Sequence, residues 1–140
     1  MIDVKTRQPL DLRDNVDYSR ALLAIPCPID KPAKIGRIEG VPCDSRRVRY
    51  SDIDFNQHTN SMKYIQWMLD ALPLEKLTGC RMKRLDVNFV HETRYGQQLV
   101  VCCECGTDRD CFEIRFEDGT AACKAAIRWE TSDERSNQTA

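Results

Sequence analysis

Two histidines, His58 and His91, serve all 140 residues. Imidazole chemistry near neutral pH therefore falls to one of two positions. The chain has no charge imbalance either: 21 Lys and Arg stand against 22 Asp and Glu, a formal charge of −1. That balance argues against a dedicated basic face, so nucleic acid is not an expected partner. The local clusters Arg46-Arg47-Val48-Arg49 and Arg81-Met82-Lys83-Arg84 read first as solvated strand faces, and second as a docking patch for an acidic partner. No apolar run approaches the roughly 20 residues of a membrane-crossing helix. Residues 1–7 lack the apolar core of a secretory signal. Paired metal-ligand spacing is missing as well. Cysteines stand at 27, 43, 80, 102, 103, 105, 111 and 123; Cys102 and Cys105 have C-x-x-C spacing, but in a strand-like run rather than a loop and with no second matching pair. No metal site is expected, and without a signal peptide reduced thiols in the cytoplasm are. In a strand, Cys103 and Cys105 share one face and Cys102 takes the other, which reads as small apolar packing.

What is present suits one soluble folded unit: 41% hydrophobic and 31% charged residues. Residues 1–44 look like a linker that wraps a surface, with a strand-like start at 1–4, a helix-like piece at 18–24, and Pro26, Pro28 and Pro32 as breakers. The folded unit runs over 45–130, its first strand pattern beginning near Val41. Residues 131–140 are polar and small, and read as a disordered tail. A helix is predicted from about 59 to 72, stopped by Pro73. Thr59, Lys63, Gln66 and Asp70 form its polar stripe, and apolar side chains cover most of its circumference, so it should be largely buried. Strands are predicted at about 80–92, 98–105, 110–116 and 121–130, with Asp118-Gly119 as a hairpin turn. One long helix followed by an antiparallel meander is an α+β layout in which the sheet wraps the helix.

The stretch Asp54-Phe55-Asn56-Gln57-His58 carries the strongest chemical signal. In extended chain a carboxylate, an amide and an imidazole leave on one side, at the mouth of a helix whose first N–H groups are free. A carbonyl could be held there and attacked by water. Simpler roles exist for each residue alone: Asn56, Thr59 or Asn60 as a helix cap, Asp54 as a charge at the dipole's positive end.

Asp54-x-Asn56-x-His58-x-Asn60-x-x-x-Tyr64-x-x-Trp67 resembles the start of the central helix in hot-dog-fold thioesterases. The helix end Trp67-x-x-Asp70-x-x-Pro73, the segment Asn88-Phe-Val-His91-Glu92-Thr93 and the opening Ile2-Asp-Val-Lys-Thr6-Arg7-x-Pro9-Leu10 are similar to the acyl-acyl carrier protein (acyl-ACP) thioesterase family in particular. The resemblance implies a hot-dog fold and hydrolysis of acyl-ACP to free fatty acid in fatty acid biosynthesis, with acyl carrier protein as partner and no cofactor or metal. It implies Glu92 as the base that activates water, His58 assisting it, Asn56 holding water or carbonyl, and Asp54 either orienting these groups or attacking directly. The first helix N–H groups would hold the oxyanion. Asn60, Tyr64 and Trp67 are the candidate substrate contacts. Thr93 stands where plant members often carry cysteine, so a thiolate nucleophile is unavailable there. His91 reads as a strand-surface residue. Strand parity sets Glu92 opposite Leu85, Val87 and Phe89, unless a bulge intervenes. The family pairs two hot-dog domains, so residues 1–44 are expected to follow a missing N-terminal one. The chain would then pair with a second hot-dog unit or form a homodimer, and would need the missing half for full activity. Two alternatives remain: an acyl-CoA thioesterase acting as a free-standing hot-dog dimer, and an inactive half-protein.

Overall fold

The computed structural model describes residues 6, 8 and 25–130. The strand-like start, the helix-like piece at 18–24 and the polar tail lie outside the described residues. The chain divides into two compact units, residues 1–31 and 32–140. All the elements below belong to the second. They are β1 (Val41–Arg47), a 3-10 turn (Tyr50–Asp52), α1 (Ser61–Asp70), α2 (Leu74–Gly79), β2 (Met82–Phe89), β3 (Gln98–Cys105), β4 (Arg109–Phe116) and β5 (Ala121–Trp129). The five strands form one antiparallel sheet in the order β1-β3-β4-β5-β2. This is the α+β hot-dog arrangement expected from the sequence.

Alternation explains which face packs on the helix. Leu99 and Val101 of β3, Phe112 and Ile114 of β4, and Cys123, Ala125 and Ile127 of β5 are buried in one cluster with Tyr64, Trp67, Met68 and Leu72. The β4–β5 turn is built as its residues require. Gly119 takes φ +83°, a left-handed value that suits glycine, and the Asp118 carboxylate accepts the Thr120 N–H. The sheet covers α1 on one side only. Tyr64, Trp67 and Met68 are buried, Ile65 and Leu69 are half-buried, and Met62 is exposed. A single five-stranded layer cannot enclose a cylinder, so the helix is less buried than its apolar circumference suggests. Thr59, assigned to the polar stripe, precedes the helix and is buried.

The opposite face of the sheet is covered by the chain itself. Residues 33–38 run across it as a strap held by polar side chains of the strands. Asp86 accepts the Ala33 N–H and Asn88 accepts the Ile35 N–H. Arg115 donates to the Ile38 carbonyl, and Lys124 to that of Gly36. Ile35 and Ile38 are buried beneath it. The structure therefore packs residues 33–38 on the sheet and puts Val41 already in a strand, short of position 44 where the linker-like reading ends. Of the three neighbouring thiols, Cys102 is buried, Cys103 half-buried and Cys105 exposed. Small apolar packing thus describes Cys102 well and Cys105 not at all.

Candidate active site

The loop at the head of α1 is built by Asp54. Its backbone N–H donates to the His58 carbonyl at 2.8 Å, and its Oδ1 accepts the N–H groups of Asn56 at 2.8 Å and His58 at 3.2 Å. An aspartate that accepts the amide two residues on makes an Asx turn. Gln57 sits at the tip with φ +63°. Asn60 then caps the helix, its Oδ1 accepting from Met62 N at 2.9 Å while its carbonyl accepts from Lys63 N. Among the described residues, the Ser61 N–H has no hydrogen-bond partner, so of the first helical amides it alone is left for an oxyanion.

Glu92 arrives from the end of β2 through a bulge. The N–H groups of Val90 and His91 both donate to the Ala122 carbonyl, at 2.9 and 3.0 Å. Two residues against one interrupts the alternation there, at the point where the strand ends. Glu92 follows with its side chain 59% exposed, leaving the apolar face as the parity reading expects. There its Oε2 lies 3.2 Å from His58 Nε2. Backbone pairing holds the approach: His58 and Arg94 form an isolated antiparallel bridge, and Thr59 N–H donates to the Thr93 carbonyl at 2.8 Å.

His58 Nε2 has a second neighbour, Arg94 Nη2 at 3.4 Å. With a proton on Nε2, the ring donates to Glu92; without one, it can accept from Arg94. Each protonation state of the imidazole meets a partner, which suits a group that gains and loses a proton.

These groups line one cleft of about 360 Å³, bounded by Asp54, Asn56, His58, Ser61, Tyr64 and Glu92, with Phe89 and Val90 as its apolar wall. His91 also borders it, its Nδ1 donating to the Ala121 carbonyl at 2.9 Å. Of the residues singled out from the sequence, the structure brings together Asp54, Asn56, His58, Glu92 and Tyr64. Asn60 and Trp67 do not border this cleft: one caps the helix, and the other is buried in the core. Burial pushes the Tyr64 hydroxyl above its usual pKa, so it remains a phenol at neutral pH. His91 was missed as a cleft residue, and Arg94 as a neighbour of the imidazole. Arg94 follows Glu92 by two positions, and alternation alone could have flagged it. No cysteine borders the cleft, and no group of three or more metal-ligating side chains occurs among the described residues.

Residues 39–131 match the family model for the acyl-ACP thioesterase C-terminal domain. The chain belongs to the acyl-ACP thioesterase family. It is 30% identical over 97 residues to a chloroplastic acyl-[acyl-carrier-protein] hydrolase of Cuphea viscosissima, covering 64% of this chain and 23% of that one. It is 28% identical over 92 residues to the chloroplastic palmitoyl-acyl carrier protein thioesterase of Arabidopsis thaliana, covering 58% and 22%. Among solved structures, an acyl-ACP thioesterase from Bacteroides thetaiotaomicron superposes with a TM-score of 0.78 at 31% identity, covering 92% of this chain and 53% of that one. The 12:0-ACP thioesterase of Umbellularia californica shares the fold, with a TM-score of 0.67 at 16% identity and coverage of 92% and 51%. The chain thus spans about a quarter of the length of these curated family members and about half of the solved ones.

Proposed function

We propose that this chain carries the hydrolytic site of an acyl-ACP thioesterase, releasing free fatty acid from acyl carrier protein in fatty acid biosynthesis. One observation carries the reading: a His58–Glu92 pair, 3.2 Å apart at the edge of a cleft that Asn56 and the Ser61 amide also border. Glu92 takes a proton from water as the water oxygen attacks the thioester carbon. His58 donates to Glu92 Oε2 and orients the carboxylate, leaving its other oxygen to take that proton. Asn56 and the Ser61 N–H receive the developing oxyanion at the positive end of α1. The C–S bond then breaks, the proton returns to the leaving thiolate, and the acid departs. Asp54 orients the loop, because its Oδ1 already accepts two backbone amides.

The test is acyl-ACP hydrolysis by wild-type chain, Glu92→Gln and His58→Asn, with released acid measured by mass spectrometry. Single turnover in ¹⁸O-water should place the label in the fatty acid. Label in the Asp54 carboxylate instead would mean direct attack by that residue. Family membership favours acyl-ACP over acyl-CoA, and a ratio of kcat/KM for the two thioesters of one acyl group decides between them. Pairing with a second hot-dog unit, either another copy or another domain, is supported by β2 at the sheet edge, by Phe89 and Val90 exposed on the cleft wall and by Met62 exposed on α1. Light scattering reads that directly. Cytoplasmic residence is supported by the eight free thiols. Among the described residues, no helix is long and apolar enough to cross a membrane.

A further inference from the structure

Directly behind the His58–Glu92 pair lie three buried hydroxyls that the chemistry above does not use. Thr59 is 7% exposed, Thr93 0% and Tyr64 3%. Thr59 Oγ1 and Thr93 Oγ1 share a hydrogen bond, and Tyr64 Oη and Thr93 Oγ1 share another at 2.7 Å. Tyr64 Oη also accepts the Thr93 N–H at 3.2 Å, which leaves its own proton for Thr93 Oγ1. Each hydroxyl is partnered, and no buried side-chain polar atom among the described residues is left without a hydrogen bond.

The placement follows from alternation across the short backbone bridge. His58 and Thr59 are neighbours on one loop; Glu92 and Thr93 are neighbours on the other. Successive side chains of an extended chain leave on opposite sides. His58 and Glu92 therefore point outward into the cleft, while Thr59 and Thr93 point inward and meet. Tyr64, the fourth residue of α1, closes the cluster onto the helix whose N-terminus supplies the Ser61 amide. One bonded cluster thus ties together the imidazole loop, the carboxylate loop and the helix. Apolar side chains would fill the same space without the cost of burying three hydroxyls.

We propose that Thr59, Thr93 and Tyr64 are positioning residues, whose hydroxyl cluster sets the spacing between His58 and Glu92. The inference rests on the hydrolase reading for its consequence in turnover, but the spacing can be read without any substrate. Thr93→Val removes the central hydroxyl at constant shape, and Thr93→Ser keeps it.

The first measurement is the NMR contact between the His58 ring protons and the Glu92 side-chain protons in the 140-residue chain. It is expected in wild type, lost in Thr93→Val and regained in Thr93→Ser. The second is acyl-ACP hydrolysis. Thr93→Val should lower kcat roughly tenfold or more with KM nearly unchanged, and Thr93→Ser should recover most of that loss. In a Glu92→Gln background Thr93→Val should add little, because it acts through Glu92. Should Thr93→Val fail to fold, Tyr64→Phe and Thr59→Val carry the same two measurements with the same expected direction. A Thr93→Val chain that keeps both the contact and kcat overturns the proposal. A wild-type chain that shows the contact yet hydrolyses no acyl-ACP, either alone or paired with a second hot-dog unit, overturns the hydrolase reading and leaves the positioning intact.

Discussion

At the scale of single residues, the proposed chemistry assigns reaction to groups at the cleft and positioning to buried ones. Glu92 is half-exposed at the cleft and His58 lies just inside it, and neither fills the core. Glu92→Gln and His58→Asn should each reduce turnover by about 10²–10⁴-fold, the usual loss for a positioned acid–base group. Their circular dichroism and melting should stay close to wild type. No cysteine borders the cleft. Cys105 is exposed as a residue, yet partial desolvation of its sulfur, with the neighbouring Cys103 and Asp110 adding to it, pushes that thiol up to about 11, and full burial pushes Cys123 up to about 12. These are protonated at neutral pH and make poor nucleophiles. Iodoacetamide at pH 7.5 should therefore leave acyl-ACP hydrolysis intact, and a trapped acyl-cysteine would contradict this. Gln57 holds φ +63° at the loop tip. A β-branched residue tolerates that conformation poorly, so Gln57→Val should lower stability by about 1–2 kcal/mol, while Gln57→Gly should stay within about 1 kcal/mol of wild type. Urea titration distinguishes the two.

At the scale of elements, α2 and the β3–β4 turn are joined through one buried carboxylate. Asp110 is 0% exposed; its Oδ1 meets Lys76 Nζ at 2.7 Å and the Gly106 N–H at 3.0 Å, and its Oδ2 accepts Trp129 Nε1–H at 2.7 Å. The Lys76 ammonium also stands 5.5 Å from the Trp129 ring centroid. Asp110→Ala would strand the largely buried ammonium and the indole N–H together. A loss of about 3–5 kcal/mol is expected, the range for breaking a buried pair from one side. Chemical denaturation of the variant measures it. The predicted elements agree closely with these strands because their alternation is strong; the helix boundary moved because Asn60 takes the cap and Thr59 turns inward.

At the scale of the whole molecule, acid should loosen the strap. The Arg84 guanidinium beside Asp86 holds its carboxyl below the usual range. Burial works against the charged form of Glu113, but Arg115 and Lys124 outweigh it, and that pKa is also lowered. A group whose folded-state pKa is depressed gives stability that is present above its unfolded value, near 4. That stability is lost as pH falls through the folded value. Melting temperature should therefore hold from pH 7 down to about 5, then drop below about 4. Protection of the Ala33 amide, relative to its intrinsic exchange rate at each pH, should fall over the same range, since the Asp86 carboxylate is its acceptor. A strap unaffected by acid would show that these carboxylates contribute nothing to docking.

The sequence by itself determined everything that depends on near neighbours. The alternation of strands β2 to β5, the Asp118-Gly119 turn, the helix after Asn60 and the grouping of Asp54, Asn56 and His58 are all written within a few positions of one another. The resemblance added Glu92, 34 positions beyond His58. What the sequence could not supply was the meeting of the two. That depends on the bulge at Val90 and His91, where the chain leaves the strand, and on backbone pairing between residues 58–59 and 93–94. The same holds for Arg94 at the imidazole, for the hydroxyls of Thr59 and Thr93, and for the strap across the far face. Trp67 moved from candidate substrate contact to core for a related reason: periodicity reports that a helix has an apolar side, and only packing decides which layer covers it. Local patterns set the elements. Register, one bulge and the single-layered sheet decided which distant side chains share a cleft.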